Sequence, residues 1–277
     1  MICETINRTS DGRVRLRTYV QENWREPADP LRPAIIVLPG GAFTYYSPKE
    51  SEPVALTFAG LGYHTFLLDY SLGEESAWPA PLLDVAWAIR TVRAHAEEWA
   101  LDPARVCVLG FSAGATVAAL AATQWDNPLV GEALGCTPEE VRPDAAAICY
   151  GPARAATCLG ADGQGAEELE FGRIMHEGRP EVDYVDFLDE RTPPLFLWHT
   201  SPDEVVPVQN SLIASKRLAE LGIPFELHVF RRGAHGYYTS DLSARGGVYL
   251  DPSIRQWVPL FDAWFRQLDV PATQDPA

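Results

Sequence analysis

Val106-Cys107-Val108-Leu109-Gly110-Phe111-Ser112-Ala113-Gly114 is the stretch that decides the fold. Its first four residues are apolar and read as a short buried strand. From Ala113 to Gln124 the chain is rich in alanine and reads as a helix. The join is glycine-x-serine-x-glycine. A reversal this tight strains the serine backbone and tolerates only small flanking residues, which Gly110 and Gly114 supply. Such a strand-turn-helix holds a serine hydroxyl at the carboxyl end of the strand, where the helix N-terminus favours developing negative charge. Ser112 is therefore the candidate catalytic nucleophile. A phosphate loop does not fit, because no lysine follows the last glycine and dinucleotide-type spacing is missing. No cofactor is expected.

Working outward, strand and helix patterns alternate. Arg13 to Val20 alternates in polarity and reads as an edge-type strand. Ala34-Ile35-Ile36-Val37-Leu38 is fully apolar and is ended by Pro39-Gly40-Gly41. Continuous apolar runs mark parallel strands that helices cover on both faces. Pro48 to Leu61 reads as a helix opening near Ser47, Tyr63 to Asp69 as a strand, and Ala80 to Trp99 as a helix. The pattern continues with strands at Arg105 to Leu109, Ala145 to Tyr150, Leu195 to His199 and Phe225 to Phe230. Helices follow at Val208 to Leu221 and Asp251 to Leu268. This order predicts an α/β fold, a doubly wound, mostly parallel sheet with helices on both faces. One domain over 1–277 is expected. Two stretches break the alternation, Trp125 to Pro143 and 154–192. The second is long for a connection and is expected to form a small cap over the site.

A serine hydroxyl needs a base, and the base needs a carboxylate that fixes its tautomer and stabilises the imidazolium. In this strand order they follow the serine as acid, then histidine. Of six histidines, His64 and His95 precede the serine, His199 and His228 fall on strands, and His176 lies in the long insertion. His235 alone sits in a loop after the last strand, in Arg232-Gly233-Ala234-His235-Gly236-Tyr237, and is the expected base. The acid belongs to the preceding loop, Ser201-Pro202-Asp203-Glu204-Val205-Val206-Pro207. Asp203 is the candidate, with Glu204 as local competitor and a helix-capping role as its structural alternative. Asp183, Asp186, Asp189 and Asp241 lie on the wrong side of one partner or the other. The oxyanion of an acyl transfer needs pre-aimed N–H donors. Ala113 supplies one, and Gly41 and Ala42 in the Pro39-Gly40-Gly41-Ala42-Phe43 turn supply others.

Bulk properties bear on the partners the chain can have. The 277 residues carry a formal charge of -16. That balance repels phosphate backbones and anionic lipid, so neither nucleic acid nor a membrane is an expected partner. Five cysteines at irregular spacing do not form a disulfide framework, and no pair has zinc-ligand spacing, so no metal is expected. Cys107 and Cys149 read as small apolar residues of buried strands. Met1 to Ser10 has no apolar run of signal-peptide length. A cytoplasmic location is the expectation.

The run Leu38-Pro39-Gly40-Gly41-Ala42-Phe43, then Ser47-Pro48-Lys49-Glu50 and Leu67-Leu68-Asp69-Tyr70-Ser71, resembles the bacterial acetyl xylan esterase and carboxylesterase group of the α/β-hydrolase superfamily. The later blocks His199 to Pro207, Pro224 to Phe230 and Gly233-Ala234-His235-Gly236 agree. The resemblance implies an α/β-hydrolase fold and metal-free deacetylation of acetylated sugars such as xylo-oligosaccharides. Feruloyl or general short-chain ester hydrolysis is the alternative, followed by peptide or amide hydrolysis. Related esterases carry His-Gly-Gly-Gly, where this chain has Pro39 and Ala42 at the outer positions. The backbone N–H of Ala42 survives that change, and its methyl suits a small acyl group. Tyr45, Tyr46 and Trp198 are candidates for lining the pocket.

Overall fold

Eight strands form one sheet in the order β1-β2-β4-β3-β5-β6-β7-β8. They are β1 (Thr5–Asn7), β2 (Arg15–Tyr19), β3 (Arg32–Leu38), β4 (His64–Asp69), β5 (Leu101–Phe111), β6 (Ala145–Cys149), β7 (Leu195–Thr200) and β8 (Phe225–Phe230). The computed structural model describes residues 1–22, 30–154, 183–240 and 250–268. Strands β3 to β8 run parallel, and β1 and β2 are antiparallel. This is the doubly wound sheet expected of an α/β hydrolase.

Alternate side chains of the buried strands feed two cores. Ala34, Ile36 and Leu38 of β3 face one, with Val85, Ile89 and Val92 of the helix Ala80–Ala94 and Ala214 and Leu218 of the helix Gln209–Leu221. Ile35 and Val37 face the other, with Phe58 of the helix Glu52–Gly60 and Trp257, Phe261 and Phe265 of the helix Trp257–Arg266. The helix Ala113–Thr123 is buried from Ala113 through Ala122. That explains its alanine content: a helix enclosed on all sides has no room for a large side chain at most positions.

Several elements differ from the sequence expectation. The strand Arg15–Tyr19 is not an edge, because β1 pairs with it, Ile6 opposite Leu16. Its alternation arises from Val14, Leu16 and Thr18 turning inward. On the other face Arg15 and Arg17 each reach the buried Asp69 carboxylate at 2.7 Å. The first helix starts at Glu52 rather than Pro48. Ser47 N–H is taken by Gly40 O, and the Ser51 hydroxyl donates back to Ser47 O, so residues 47–51 form a turn. The helix from Ala80 ends at Ala94, with a separate turn at Ala96–Trp99. The final helix is preceded by a 3-10 turn, Ile254–Gln256. The stretch between Trp125 and Pro143 folds as two short helices, Pro128–Leu134 and Pro138–Val141. Of the cap expected over 154–192, residues 155–182 lie outside the described residues, as do His176 and Asp241. The remainder holds a 3-10 turn, Tyr184–Phe187, whose Tyr184 and Val185 join the core. Among the described residues no helix is long and apolar enough to cross a membrane.

The topology also opens a crevice of the kind in which open α/β sheets take ligands. From β3 the sheet extends through β4 on one side and β5 on the other. The chain leaves the carboxyl ends of β3 and β5 in a crevice at this switch point, the usual ligand position in open α/β sheets. Pro39–Phe43 follows β3 and Ser112 follows β5.

His64 at the start of β4 sets a pH limit on this scaffold. Its ring is fully buried. Nδ1 accepts the Gln21 N–H at 3.1 Å, and Nε2 donates to Trp99 O at 2.9 Å. Those contacts require the neutral ring with hydrogen on Nε2. Burial lowers the pKa to about 4, against the opposing pull of the Trp99 hydrogen bond. Because the folded pKa lies below the unfolded value of 6.5, this contribution is complete above that pH. It declines as the pH falls towards about 4. Urea midpoints measured across this window should fall with acidification, and His64→Gln should flatten the slope. An unchanged slope in the variant would assign the dependence elsewhere.

Candidate active site

Ser112 sits at φ 51° and ψ -118°, a strained left-handed geometry for a residue with a side chain. Two glycines make that geometry possible. A Cβ on Gly110 would lie 2.1 Å from Gly114 O, and one on Gly114 would lie 2.1 Å from Leu38 O. The nucleophile turn and the end of β3 are thus in backbone contact. The Ser112 N–H donates to Cys149 O at the end of β6 at 3.0 Å.

The three residues singled out from the sequence come together. Ser112 Oγ lies 2.8 Å from His235 Nε2, and His235 Nδ1 lies 2.8 Å from Asp203 Oδ2. A carboxylate only accepts, so Nδ1 carries the hydrogen and Nε2 is free to accept from the serine hydroxyl. Asp203 is buried, while Glu204 beside it is exposed. Asp186 is paired with Arg154 and Asp189 with Arg191. Asp203 Oδ1 accepts the N–H groups of Val205 and Val206, both at 2.9 Å. It therefore shapes its own loop and does not cap the helix, which starts at Gln209.

His199 falls on strand β7, yet it stands against the Asp203 carboxylate. Its Nε2 donates to Val206 O at 2.8 Å and lies 3.5 Å from Asp203 Oδ2, and Ser211 Oγ meets its Nδ1 at 2.8 Å. Burial pushes the Asp203 carboxyl up. Hydrogen bonds from His199 and His235, the charge of His235 and the Val206 N–H outweigh it, and hold the group well below the usual carboxylate range. The observable sign for this pairing was a histidine at the end of an apolar strand, four residues before the acid. Asn210 is a second unforeseen support. Its Oδ1 accepts from Ala153 and Arg154 N–H, and its Nδ2 donates to Pro207 O, tying the exit of β6 to the acid loop.

The His235 loop is held by close contacts. Gly233 has φ 104°, and a Cβ there would meet Ile254 Cδ1 at 2.7 Å. Beyond the histidine, Trp257 Nε1 donates to Tyr238 O at 2.6 Å. Trp198 does not line a pocket, contrary to expectation. It is fully buried, stacked on Trp257 and edge-on to Tyr150. Tyr46 is half-buried and gives its hydroxyl to Tyr70 O, whereas Tyr45 is exposed.

The turn after β3 has unusual backbone geometry. Gly41 has φ 130°, and Ala42 and Phe43 are left-handed at 51° and 58°. A Cβ on Gly41 would strike Tyr45 O at 1.9 Å, so only glycine fits. The Gly41 carbonyl accepts from Thr44 and Tyr45 N–H. Gly40 N–H goes to Glu50 Oε2 at 2.9 Å. Among the described residues the N–H groups of Gly41 and Ala42 are committed to no hydrogen bond. Ala113 begins its helix, so its N–H has no partner within that helix. Three donors beside the serine can therefore meet developing negative charge. Among the described residues no group of three or more His, Cys, Asp or Glu side chains is placed to hold a metal ion.

The BD-FAE family profile matches residues 24–218, and the chain belongs to that family. Its sheet order and helices are those of the α/β-hydrolase superfamily. The chain is 31% identical over 216 residues to endo-1,4-beta-xylanase B of Butyrivibrio fibrisolvens, covering 75% of this chain and 33% of that one. It spans between a third and just over half of the length of the first curated relatives it matches. Its fold is similar to that of an acetyl ester-xyloside bifunctional hydrolase from Caldicellulosiruptor lactoaceticus, with TM-score 0.77, 31% identity and 96% of both chains covered. A carboxylesterase from Lactobacillus plantarum shares the fold at TM-score 0.83 and 23% identity, covering 99% of this chain and all of that one.

Asp203→Asn keeps the size of the side chain but offers His235 an amide and so disturbs its tautomer. Turnover of an activated ester should fall by about 10³- to 10⁴-fold. Steady-state kinetics on the purified variant check this, and a loss under tenfold would remove Asp203 from the site.

Proposed function

We propose that the chain is a serine carboxylesterase that removes short acyl groups, in particular acetyl, from carbohydrate through an acyl-enzyme. The observation that carries the reading is the continuous Ser112–His235–Asp203 hydrogen-bonded chain with both links at 2.8 Å. Ser112 Oγ attacks the ester carbonyl while His235 Nε2 takes its proton. Asp203 holds the ring in orientation and stabilises the imidazolium. The N–H groups of Ala113, Gly41 and Ala42 receive the oxyanion. His235 then protonates the leaving sugar oxygen, and water, deprotonated by the same ring, releases the acid and restores the serine.

The substrate class rests on likeness. One relative is a xylanase, another, at 25% identity, is an acetylxylan esterase, and the Caldicellulosiruptor enzyme is an acetyl ester-xyloside hydrolase. Ala42, with a methyl where related esterases carry glycine, is in keeping with a small acyl group. A general short-chain carboxylesterase is the second reading, supported by 28% identity to a mycobacterial esterase.

Two measurements test the proposal. Ser112→Ala should fold and lose at least about 10³-fold in kcat on p-nitrophenyl acetate. Retained turnover refutes the acyl-enzyme. Across p-nitrophenyl acetate, butyrate and octanoate, kcat/KM should fall with chain length, and acetylated xylo-oligosaccharide should be deacetylated where methyl ferulate is not. Faster turnover of octanoate or ferulate would overturn the acetyl assignment.

A further inference from the structure

Glu50 has no part in the triad, yet its carboxylate is buried in the middle of the site at 3% exposure. A buried carboxylate is costly unless both oxygens find donors. Here each finds one from a different segment. Oε2 accepts the Gly40 N–H at 2.9 Å, and Oε1 accepts the Tyr150 O–H at 2.8 Å. Gly40 opens the turn after β3, and Tyr150 is the first residue after β6.

The two donors lead to the two parts of the site that must meet at Ser112. A Cβ built on Gly40 would lie 2.7 Å from Glu50 Oε2 and 2.9 Å from Ser112 Cβ, so the carboxylate, this peptide and the nucleophile are packed in layers. Tyr150 is buried and left-handed at φ 41°. Its ring lies 5.1 Å from the His235 ring at 77°. The histidine loop passes near Glu50 as well: a Cβ built on Gly236 would lie 3.9 Å from Oε1. Lys49 Nζ lies 3.5 Å from that same point.

Residues 41 to 43 all have positive φ. The turn is therefore not held by its own backbone preferences and needs an outside tie. Backbone bonds hold its carbonyls, Ser47 N–H on Gly40 O and Gly73 N–H on Phe43 O; the Gly40 N–H bond to Glu50 is the side-chain tie at its root, and it orients the peptide that leads into the two N–H groups that follow. The Tyr150 bond does the same for the packing surface under His235. We propose that Glu50 is a positioning residue that, through Gly40 and Tyr150, holds the oxyanion turn and the His235 ring in one register with Ser112. The inference rests on the esterase reading above.

The test uses three variants of the full chain, assayed well below their melting temperatures. Glu50→Ala removes both ties. Glu50→Gln keeps the shape: its oxygen accepts from Gly40, and its amide donates to the Tyr150 oxygen. Tyr150→Phe cuts one tie only. With p-nitrophenyl acetate, Glu50→Ala should lower kcat by about 100-fold, the scale of a misplacement of about 1 Å, with KM changed only a few-fold. Affinity for a short alkyl boronic acid, whose boron takes Ser112 Oγ as its fourth ligand, should fall in parallel. Glu50→Gln should restore kcat to within about tenfold of wild type, and Tyr150→Phe should fall between the two. Glu50→Ala with a lowered melting temperature but near-wild-type kcat and boronate affinity would overturn the proposal. So would Glu50→Gln losing as much as Glu50→Ala, since shape would then not be what matters. If Glu50→Ala does not fold, Tyr150→Phe and Glu50→Gln decide by the same criteria. Ser112→Ala, run alongside, separates the two claims: its inactivity beside fully active Glu50 variants defeats the positioning role alone.

Discussion

The contact between Gly110 and the Gly114 carbonyl is what everything else waits on. Strand β5 and the helix Ala113–Thr123 share a backbone surface with no side chain between them, and the end of β3 closes against the same helix. Any Cβ at either glycine would push the helix off the sheet. With the helix seated, Ser112 is forced into a left-handed conformation and its hydroxyl onto the crevice between β3 and β5. The alanine content of the helix follows from the same enclosure, and Gly40 of the β3 turn from the same close approach, since a Cβ there would lie 2.8 Å from Phe111 O. The strain at Ser112 is offset by the burial of ten consecutive helix residues behind it.

Around this fixed point, polar groups divide the work of orientation. Asp203 uses one oxygen to shape its loop and the other to hold His235. His199 and Ser211 back the acid from inside the core, and Asn210 ties its loop to the exit of β6. Each supporting side chain is buried and hydrogen-bonded. Residues supported in this way keep their geometry without substrate, which is the condition for electrostatic preorganisation.

Much of this was legible in the sequence, for physical reasons that differ by element. The buried parallel strands announce themselves because sheets covered on both faces need unbroken apolar runs, as at Ala34 to Leu38. Ser112, Asp203 and His235 can be picked out together because their chain order and loop positions follow from the strand order, and the structure sets them within hydrogen-bond reach. Other features carried no such signal. Strand β1 has three residues and no periodicity, so the sequence alone leaves β2 reading as an edge. Glu50 follows a proline and a lysine and reads as the exposed first turn of a helix. Its inward path depends on a hydrogen bond to Gly40, ten residues earlier. Trp198 was expected at a pocket wall because it ends a strand near the acid. Strand alternation turned it to the opposite face, into the aromatic core with Trp257.

That aromatic core has a use outside the reaction. The indoles of Trp198 and Trp257 stack with centroids 5.3 Å apart at 19°. Trp257 is hydrogen-bonded to the loop that carries His235, and Trp198 packs on Tyr150, whose ring faces His235. Two parallel indoles at this separation couple their electronic transitions, so the pair forms a built-in optical reporter directly behind the site. A shift of the histidine loop that moves Trp257 changes that coupling, and with it the exciton part of the circular dichroism of a chain that holds eight tryptophans in all.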